Sequence, residues 1–504
     1  MGAQVRVPAM EITELTAAER RVWDAFPRGA TVDFRTGDEA ADDPEAADGW
    51  GTERTVRGEV LRALLVLSPQ EDGEVAALRV IGARITGVLN LRFAAVPCAV
   101  TLSGCRFEQA PHLYGAQMRQ LNLSDSVLPG LSAATLRVDG VLRITGCRIP
   151  GPVQLGGSKI TQALFGDRAR IGVNADGSTA FNQKPVLQLN HTVIEDDLWL
   201  PGLVVHGEFG LNGATVSGQV RLDDAELTHP GGTALQAETL TAGSDLHAMR
   251  IRIQGTANVR GMHIPGQLNL SYARLSNPGG TALRASSCTI GEFWLRAAAP
   301  VQGSVNLRRT QIDLIHAEPA VWPRDVRLDG LSYTALLPSL PAAQRLPLLE
   351  RERDGYTPYA YEQLTSSYRR IGDDGAARTV LLAKQRRHRG TLPRYARLWG
   401  YLQDATVGYG YRPVRAAAWL LSLLLLGTLA YSLHAPVPLK ADEHPPFNAL
   451  FYTLDLLLPL VDFGQEKAFD PQGWYQWLSY GLIVLGWLLA TTIAAGITRS
   501  VSRQ

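Results

Sequence analysis

The sequence predicts a mainly β protein: a solenoid of short strands, then a helical hairpin, then a two-helix transmembrane domain with a re-entrant-like loop between its spans. Three observations predict it. Residues 77–336 keep returning to a small residue, a variable position and a branched or large apolar residue, often at intervals of 11 or 22. From about residue 337 the pattern changes to helical spacing. Finally, two apolar stretches, 416–433 and 474–498, flank "FYTLDLLLPLVDFGQ" at 451–465, which is apolar, carries two aspartates and a proline, and is too short to cross a bilayer.

Residues 1–76 read as a small helical cap. Thr16 and Glu19 have capping-box spacing, with Val22, Trp23 and Phe26 following on one face. An acidic loop then precedes a second amphipathic helix near 54–67. The N-terminus shows no apolar stretch of signal-peptide length, so the first 400 residues are expected in the cytoplasm. A formal charge of +1 over 504 residues argues against a dedicated nucleic-acid binder. Only five of the 49 basic residues are Lys, a bias spread along the chain rather than clustered.

In 77–336 the repeat shows as "GARI" at 82, "GCRF" at 104, "GCRI" at 146, "GSKI" at 157 and "GATV" at 213. The clearest internal copy sets "SGQVRLDDAELTHPGGTALQA" at 217 against "PGQLNLSYARLSNPGGTALRA" at 265, a shift of 48, near two 22-residue units plus an insertion. Runs such as "VLNL" and "VRLDDA" alternate at period two, so each reads as a short strand. One such strand cannot bury its apolar side alone; stacked coils share an interior column, with small residues at the corners. The motif is similar to pentapeptide-repeat and other right-handed β-helix proteins, without their strict five-residue period. Cys98, Cys105, Cys147 and Cys288 lack metal or redox spacing and are expected to pack as small apolar residues. Asp196, Asp197, Asp223 and Asp224 raise the possibility of a glycoside-cleaving groove, but neighbours on a strand point to opposite faces and turns favour Asp. No cofactor, metal site or catalytic residue is expected, and the ten histidines are scattered.

Residues 337–412 read as a helical connector. Tyr361, Leu364 and Tyr368 share one helix face, Ala377, Val380 and Leu381 the next, and "GDDG" at 372 breaks between them; this hairpin is similar to a single TPR-type repeat. Residues 384–415 hold eight Lys or Arg against one acid and abut the first apolar stretch, the flank expected on the cytoplasmic side of a span. With Arg499 and Arg503 after the second stretch, residues 413–504 are expected as a multi-pass domain of the cytoplasmic (inner) membrane, both termini inside. Trp474, Tyr475 and Trp477 are then expected at the outer interface.

Between the stretches, segment 447–466 has the layout of a pore loop, and "ALFYTLDLLLPLVDFGQ" resembles the potassium-channel pore helix and filter. Val461, Phe463 and Gly464 fall where that family has Val, Tyr and Gly; Leu460 replaces the filter threonine and Asp462 its first glycine. The resemblance implies an ion pathway of Asp455, Leu460, Val461, Asp462, Phe463 and Gly464, with Asp462 as a charge ring and Gly464 as a backbone hinge. It also implies a homo-oligomer, a tetramer if it conducts, and cations as ligands. Over nearly its whole length the chain also resembles an actinobacterial family of membrane proteins that carries the label membrane-associated oxidoreductase. That resemblance rests on the "GARITGVLNL" type of coil, "YEQLTSSYRRIGDDGAARTVLLAKQRR", "GYGYRP" at 408 and "GWLLATTIAAGITR". No dinucleotide fingerprint, haem CxxCH or iron–sulfur run accompanies it. The reading is therefore a non-enzymatic interaction or sensor protein on the lipid bilayer with a channel-like domain and a cytoplasmic protein partner for the solenoid. A non-conducting scaffold and an oxidoreductase are the alternatives.

Overall fold

The computed structural model describes residues 15–180, 185–407, 413–440, 446–458 and 461–501. They fall into two units, residues 1–363 and 364–504.

The first unit is a parallel β-solenoid of about 12 turns. Each regular coil has four sides. Strands begin at Val193, Leu198, Val204, Phe209 and Thr215, at alternating steps of five and six residues, so half a coil takes 11 residues and a full coil 22. This alternation is why the repeat keeps an 11-residue rhythm and no five-residue one. Val193 pairs with Thr215, Thr215 with Thr241, Thr241 with His263 and His263 with Thr289, at steps of 22, 26, 22 and 26. One short and one long coil make up the 48-residue copy, the extra residues lying at His229–Gly232 and Asn277–Gly280, where neighbouring strands shift register. One longer coil, from Lys159 to Val193, holds a non-repeating insertion with an antiparallel bridge between Val173 and Thr179.

Half-coil corners use left-handed backbone. Gly213 takes φ +61°, a conformation that costs glycine little, yet His191 holds the same corner one coil earlier at +56° and Asp224 the next half-coil corner at +57°. Glycine is thus preferred but not required, which blurs the repeat in sequence. Two residues later a side chain points out, and the next points in: Val138, Ile160, Ile194 and Val216 stack in register as one interior column, nearly inaccessible to solvent. Burying each such side chain contributes about 1.5–3 kcal/mol.

The residue just after the corner is small and buried. Cys105, Cys147 and Cys288 occupy it where other coils have Ala214 or Ala225. Burial pushes the Cys105 and Cys147 thiols up to about 12 and the Cys288 thiol to about 11, so all stay protonated. Their sulfurs lie against main-chain carbonyls, Cys147 Sγ 2.9 Å from that of Leu123. The paired aspartates hold coils together. Asp197 accepts the Gln219 amide at 2.8 Å, Asp223 accepts that of Met249 at 2.9 Å, and Asp224 binds the Arg250 guanidinium with both oxygens; Asp196 is exposed.

Both ends of the stack are covered, as a parallel edge requires. Helix α1 (Ala17–Ala25) carries the predicted capping box, with the Glu19 amide donating to Thr16 Oγ1 at 3.2 Å and the Thr16 amide to Glu19 Oε2 at 3.0 Å. Phe26 is buried in a 3-10 turn that follows, with Pro27 at its second position, and Trp23 is only half-buried. Helix α2 (Gly58–Leu67) starts later than the 54–67 expected, because Thr55–Arg57 are drawn into a strand against Arg84–Thr86. Within the cap, Arg54 is buried with Asp42 at 2.8 Å and lies over the Trp50 ring at 3.8 Å. Amide hydrogen bonds from Thr36 and Gly37, with Arg54, hold the Asp42 carboxyl down to about 2. At the far end Val326 is bracketed by the main chain of Arg351 and Arg353, and the Leu328 amide donates to buried Glu352 at 2.6 Å. Helix α3 (Ala342–Glu350) precedes this last rung.

Helix α4 (Pro358–Arg370) buries Tyr361, Leu364 and Tyr368, and α5 (Asp374–Arg389) buries Ala377, Val380 and Leu381, as the spacing predicts. Gly372 turns the chain between them at φ +80°. In the second unit α6 (Arg394–Val407) brings Asp404 to Arg386 and Arg389 at 2.9 and 3.2 Å, which neutralises part of the basic run. Helices α7 (Pro413–Leu433), α8 (Ala449–Leu457) and α9 (Trp474–Val501) pack together around Tyr431, Tyr452, Leu456, Leu457, Phe469 and Leu482. One helix among the described residues is long and apolar enough to cross a membrane: residues Arg415–Leu433 of α7, with mean hydropathy 1.8.

Candidate cation site in the loop after α8

Small residues let α8 sit between its neighbours. A Cβ on Gly427 of α7 would stand 2.4 Å from Thr453 Cγ2, and one on Gly486 of α9 would stand 2.3 Å from the Leu457 carbonyl oxygen. Tyr431 meets Tyr452 edge-on with ring centroids 4.9 Å apart, and its hydroxyl donates to the Tyr475 carbonyl at 3.0 Å. Asn448 caps α8, its Oδ1 accepting from the amides of Leu450 and Phe451 at 3.0 and 3.3 Å.

α8 ends after nine residues. Leu460 lies outside the described residues, as does Pro459. From Val461 the chain returns along the helix, because the Gln465 side chain reaches back past its N-terminus. Gln465 Oε1 accepts from the Asn448 amide at 3.2 Å, and its Nε2 donates to the Pro446 carbonyl at 3.3 Å.

Asp455, in the last turn of α8, holds this return. Its carboxylate is buried and accepts three main-chain amides: Phe463 at 2.5 Å, Gln465 at 2.7 Å and Glu466 at 3.1 Å. The side chain is therefore turned onto the loop's backbone. The Val461 amide donates to Leu458 and the Gly464 amide to Asp462 Oδ1 at 2.9 Å. In contrast, the carbonyls of Val461, Asp462, Phe463 and Gly464 accept no hydrogen bond from the described residues, and all four residues are exposed. Most amides of the segment are tied down while four consecutive carbonyls are left to solvent.

Gly464 takes φ +77° with open space where a Cβ would stand, so its backbone conformation, not crowding, favours glycine. The Phe463 ring rests on Phe451 with centroids 5.3 Å apart. Asp462 is exposed and ion-paired with Lys467; the Lys467 ammonium and the Gly464 amide hold its carboxyl below the usual range. Of the residues expected in an ion pathway, Val461, Asp462, Phe463 and Gly464 thus share one exposed strip, and Asp455 stands behind it as its support. Sequence reasoning missed Asn448, Gln465 and Lys467, whose contacts across the turn join residues 5 to 19 positions apart. No group of three or more metal-ligating side chains occurs among the described residues.

Comparison with family models, curated proteins and solved structures finds no match to this chain.

Proposed function

We propose that this chain is a membrane-anchored β-solenoid protein whose C-terminal domain assembles as a homo-oligomer around a cation pathway lined by residues 461–464. The solenoid serves as a cytoplasmic interaction or sensing module. The observation that carries the reading is the one-sided hydrogen bonding of the loop: Asp455 takes its amides and four successive carbonyls are left free to replace a cation's hydration shell. The C-terminal end of α8, the negative end of its dipole, adds to the attraction.

Membrane placement is supported by the outward side chains. Leu421, Leu425, Leu426, Leu429 and Leu433 of α7 and Trp474, Trp477, Val484, Trp487 and Leu488 of α9 are exposed, a large apolar surface that lipid would cover. By length alone, at about 1.5 Å per residue, the 28 residues of α9 match the second span of this reading. On this reading α7 and α9 are both spans, both termini are cytoplasmic and the loop is outside; the basic residues that flank the two apolar stretches in the sequence support that orientation.

The test is reconstitution of the full chain. An oligomer in detergent that carries cation flux in liposomes, altered by D462N, supports the pathway. A monomer, or an oligomer that passes no ions, refutes it. The second reading, a non-conducting scaffold, draws on the roughly 12 turns of solenoid surface; it expects specific capture of a cytoplasmic partner by the full-length protein without flux.

A further inference from the structure

Lys467 is the only Lys or Arg between Lys440 and Arg499, and it is ion-paired with the one carboxylate on the exposed strip. We propose that Lys467 is a specificity-determining residue: its ammonium is a built-in counter-cation on Asp462 that keeps the loop selective for monovalent over divalent cations. The inference rests on the cation-pathway reading above and deepens it.

The two oxygens of Asp462 have different partners. Oδ1 accepts the Gly464 amide at 2.9 Å, which fixes the carboxylate against the turn, and Oδ2 faces the Lys467 ammonium. The left-handed backbone at Gly464 reverses the chain so that residues 462 and 467 meet. An arriving cation that uses this carboxylate must therefore compete with Lys467 for Oδ2. Both side chains are more than half exposed, so the pair is open to water and exchanges readily with mobile ions.

Charge decides which ion wins. With Lys467 in place, each subunit brings an Asp462–Lys467 pair of zero net charge to the strip. A ring of such pairs offers dipoles and free carbonyls, which suit a singly charged ion. Without Lys467 each subunit brings a full negative charge, and a ring of carboxylates attracts divalent ions more strongly than monovalent ones because the interaction scales with ion charge. Of the acidic neighbours, Asp455 is buried on the loop amides, and exposed Glu466, next to Lys467 in the chain, carries the same charge with and without Lys467, so it is a constant background to the comparison. The arrangement also predicts coupling, since removal of Lys467 matters only while Asp462 is charged.

The experiment measures Ba²⁺ and K⁺ flux through the full chain in liposomes for wild type, K467Q, K467R, D462N and the D462N/K467Q double variant, with oligomeric state checked for each. The expected result is a Ba²⁺/K⁺ flux ratio that rises about fivefold in K467Q, the upper end of what an exposed ion pair contributes. The charge-retaining K467R restores the low ratio, and the K467Q effect vanishes in the D462N background. If the protein conducts and K467Q leaves the ratio at the wild-type value, or raises it equally in the D462N background, the role of Lys467 is overturned and the pathway stands. If the assembled wild type and K467Q both pass no ions, the pathway itself falls, and the role of Lys467 with it.

Discussion

The buried Glu19 carboxylate of α1 is gripped by the Arg57 guanidinium at 2.7 and 2.8 Å and also accepts the Arg57 amide at 3.1 Å, joining the first helix to a strand at the start of the solenoid. Burial alone would raise the Glu19 pKa, but the hydrogen bonds from Arg57 and Thr16 outweigh it and the net shift is downward. A carboxyl depressed in the folded state contributes stability above its unfolded value of about 4.3 and loses it as pH falls through the folded value. E19Q is expected to cost about 1–3 kcal/mol at neutral pH, since Arg57 is partly exposed and rehydrates. Thermal unfolding of the full chain in detergent checks both points: the midpoint falls in E19Q at pH 7, and the gap from wild type narrows below about pH 4.

The buried thiols give a second expectation. Cys105, Cys147 and Cys288 stand where the coil wants a small apolar residue, with burial holding each thiol protonated. They should resist maleimide in the folded protein and react on denaturation, because the thiolate is the nucleophile and none is reachable. Replacing Cys147 with Ala should cost less than about 1.5 kcal/mol, whereas Leu should cost about 1–3 kcal/mol by overfilling the corner. Rapid labelling of the native chain would contradict the burial.

The same coil position shows what sequence could and could not reveal. The 11-residue rhythm and the 48-residue copy were legible because corner, small residue and inward apolar residue recur, and because the Pro-Gly-Gly insertions at 230 and 278 repeat each other. The longer coil between Lys159 and Val193 was not, since its insertion has no counterpart. In the loop after α8, Asp455 and Asp462 were visible as charges in an apolar run, but their division of labour was not. Which carboxylate turns inward depends on the path of the returning chain, and that path is set by Gln465 reaching Asn448 and Pro446 across a gap no periodic pattern records.

Asp455 therefore carries a prediction of its own. D455A leaves the Phe463, Gln465 and Glu466 amides without their acceptor, at a cost of about 1–3 kcal/mol for each one that stays buried. Hydrogen exchange over residues 461–466 should accelerate strongly in D455A while α7 keeps its protection. D455N retains one acceptor oxygen and should fall between. Unchanged exchange in D455A would mean that the loop is held by other contacts.

Two glycines on α9 separate close packing from helix propensity. A Cβ on Gly486 would stand 2.3 Å from the Leu457 carbonyl oxygen and 2.8 Å from its Cα, main-chain atoms of α8 that cannot rotate aside; a Cβ on Gly481 would meet nothing within 4 Å. Alanine favours a helix interior over glycine by about 0.5–1 kcal/mol, so G481A is expected to be neutral or slightly stabilising. G486A carries the same propensity gain but must push α8 off α9, with an expected net loss of about 1–3 kcal/mol from the displaced contact. Because α8 supports the exposed strip through Asp455, G486A should also speed exchange at 461–466, an effect G481A should not share. Equal behaviour of the two variants in thermal unfolding and exchange would show that α8 and α9 are not packed backbone to backbone.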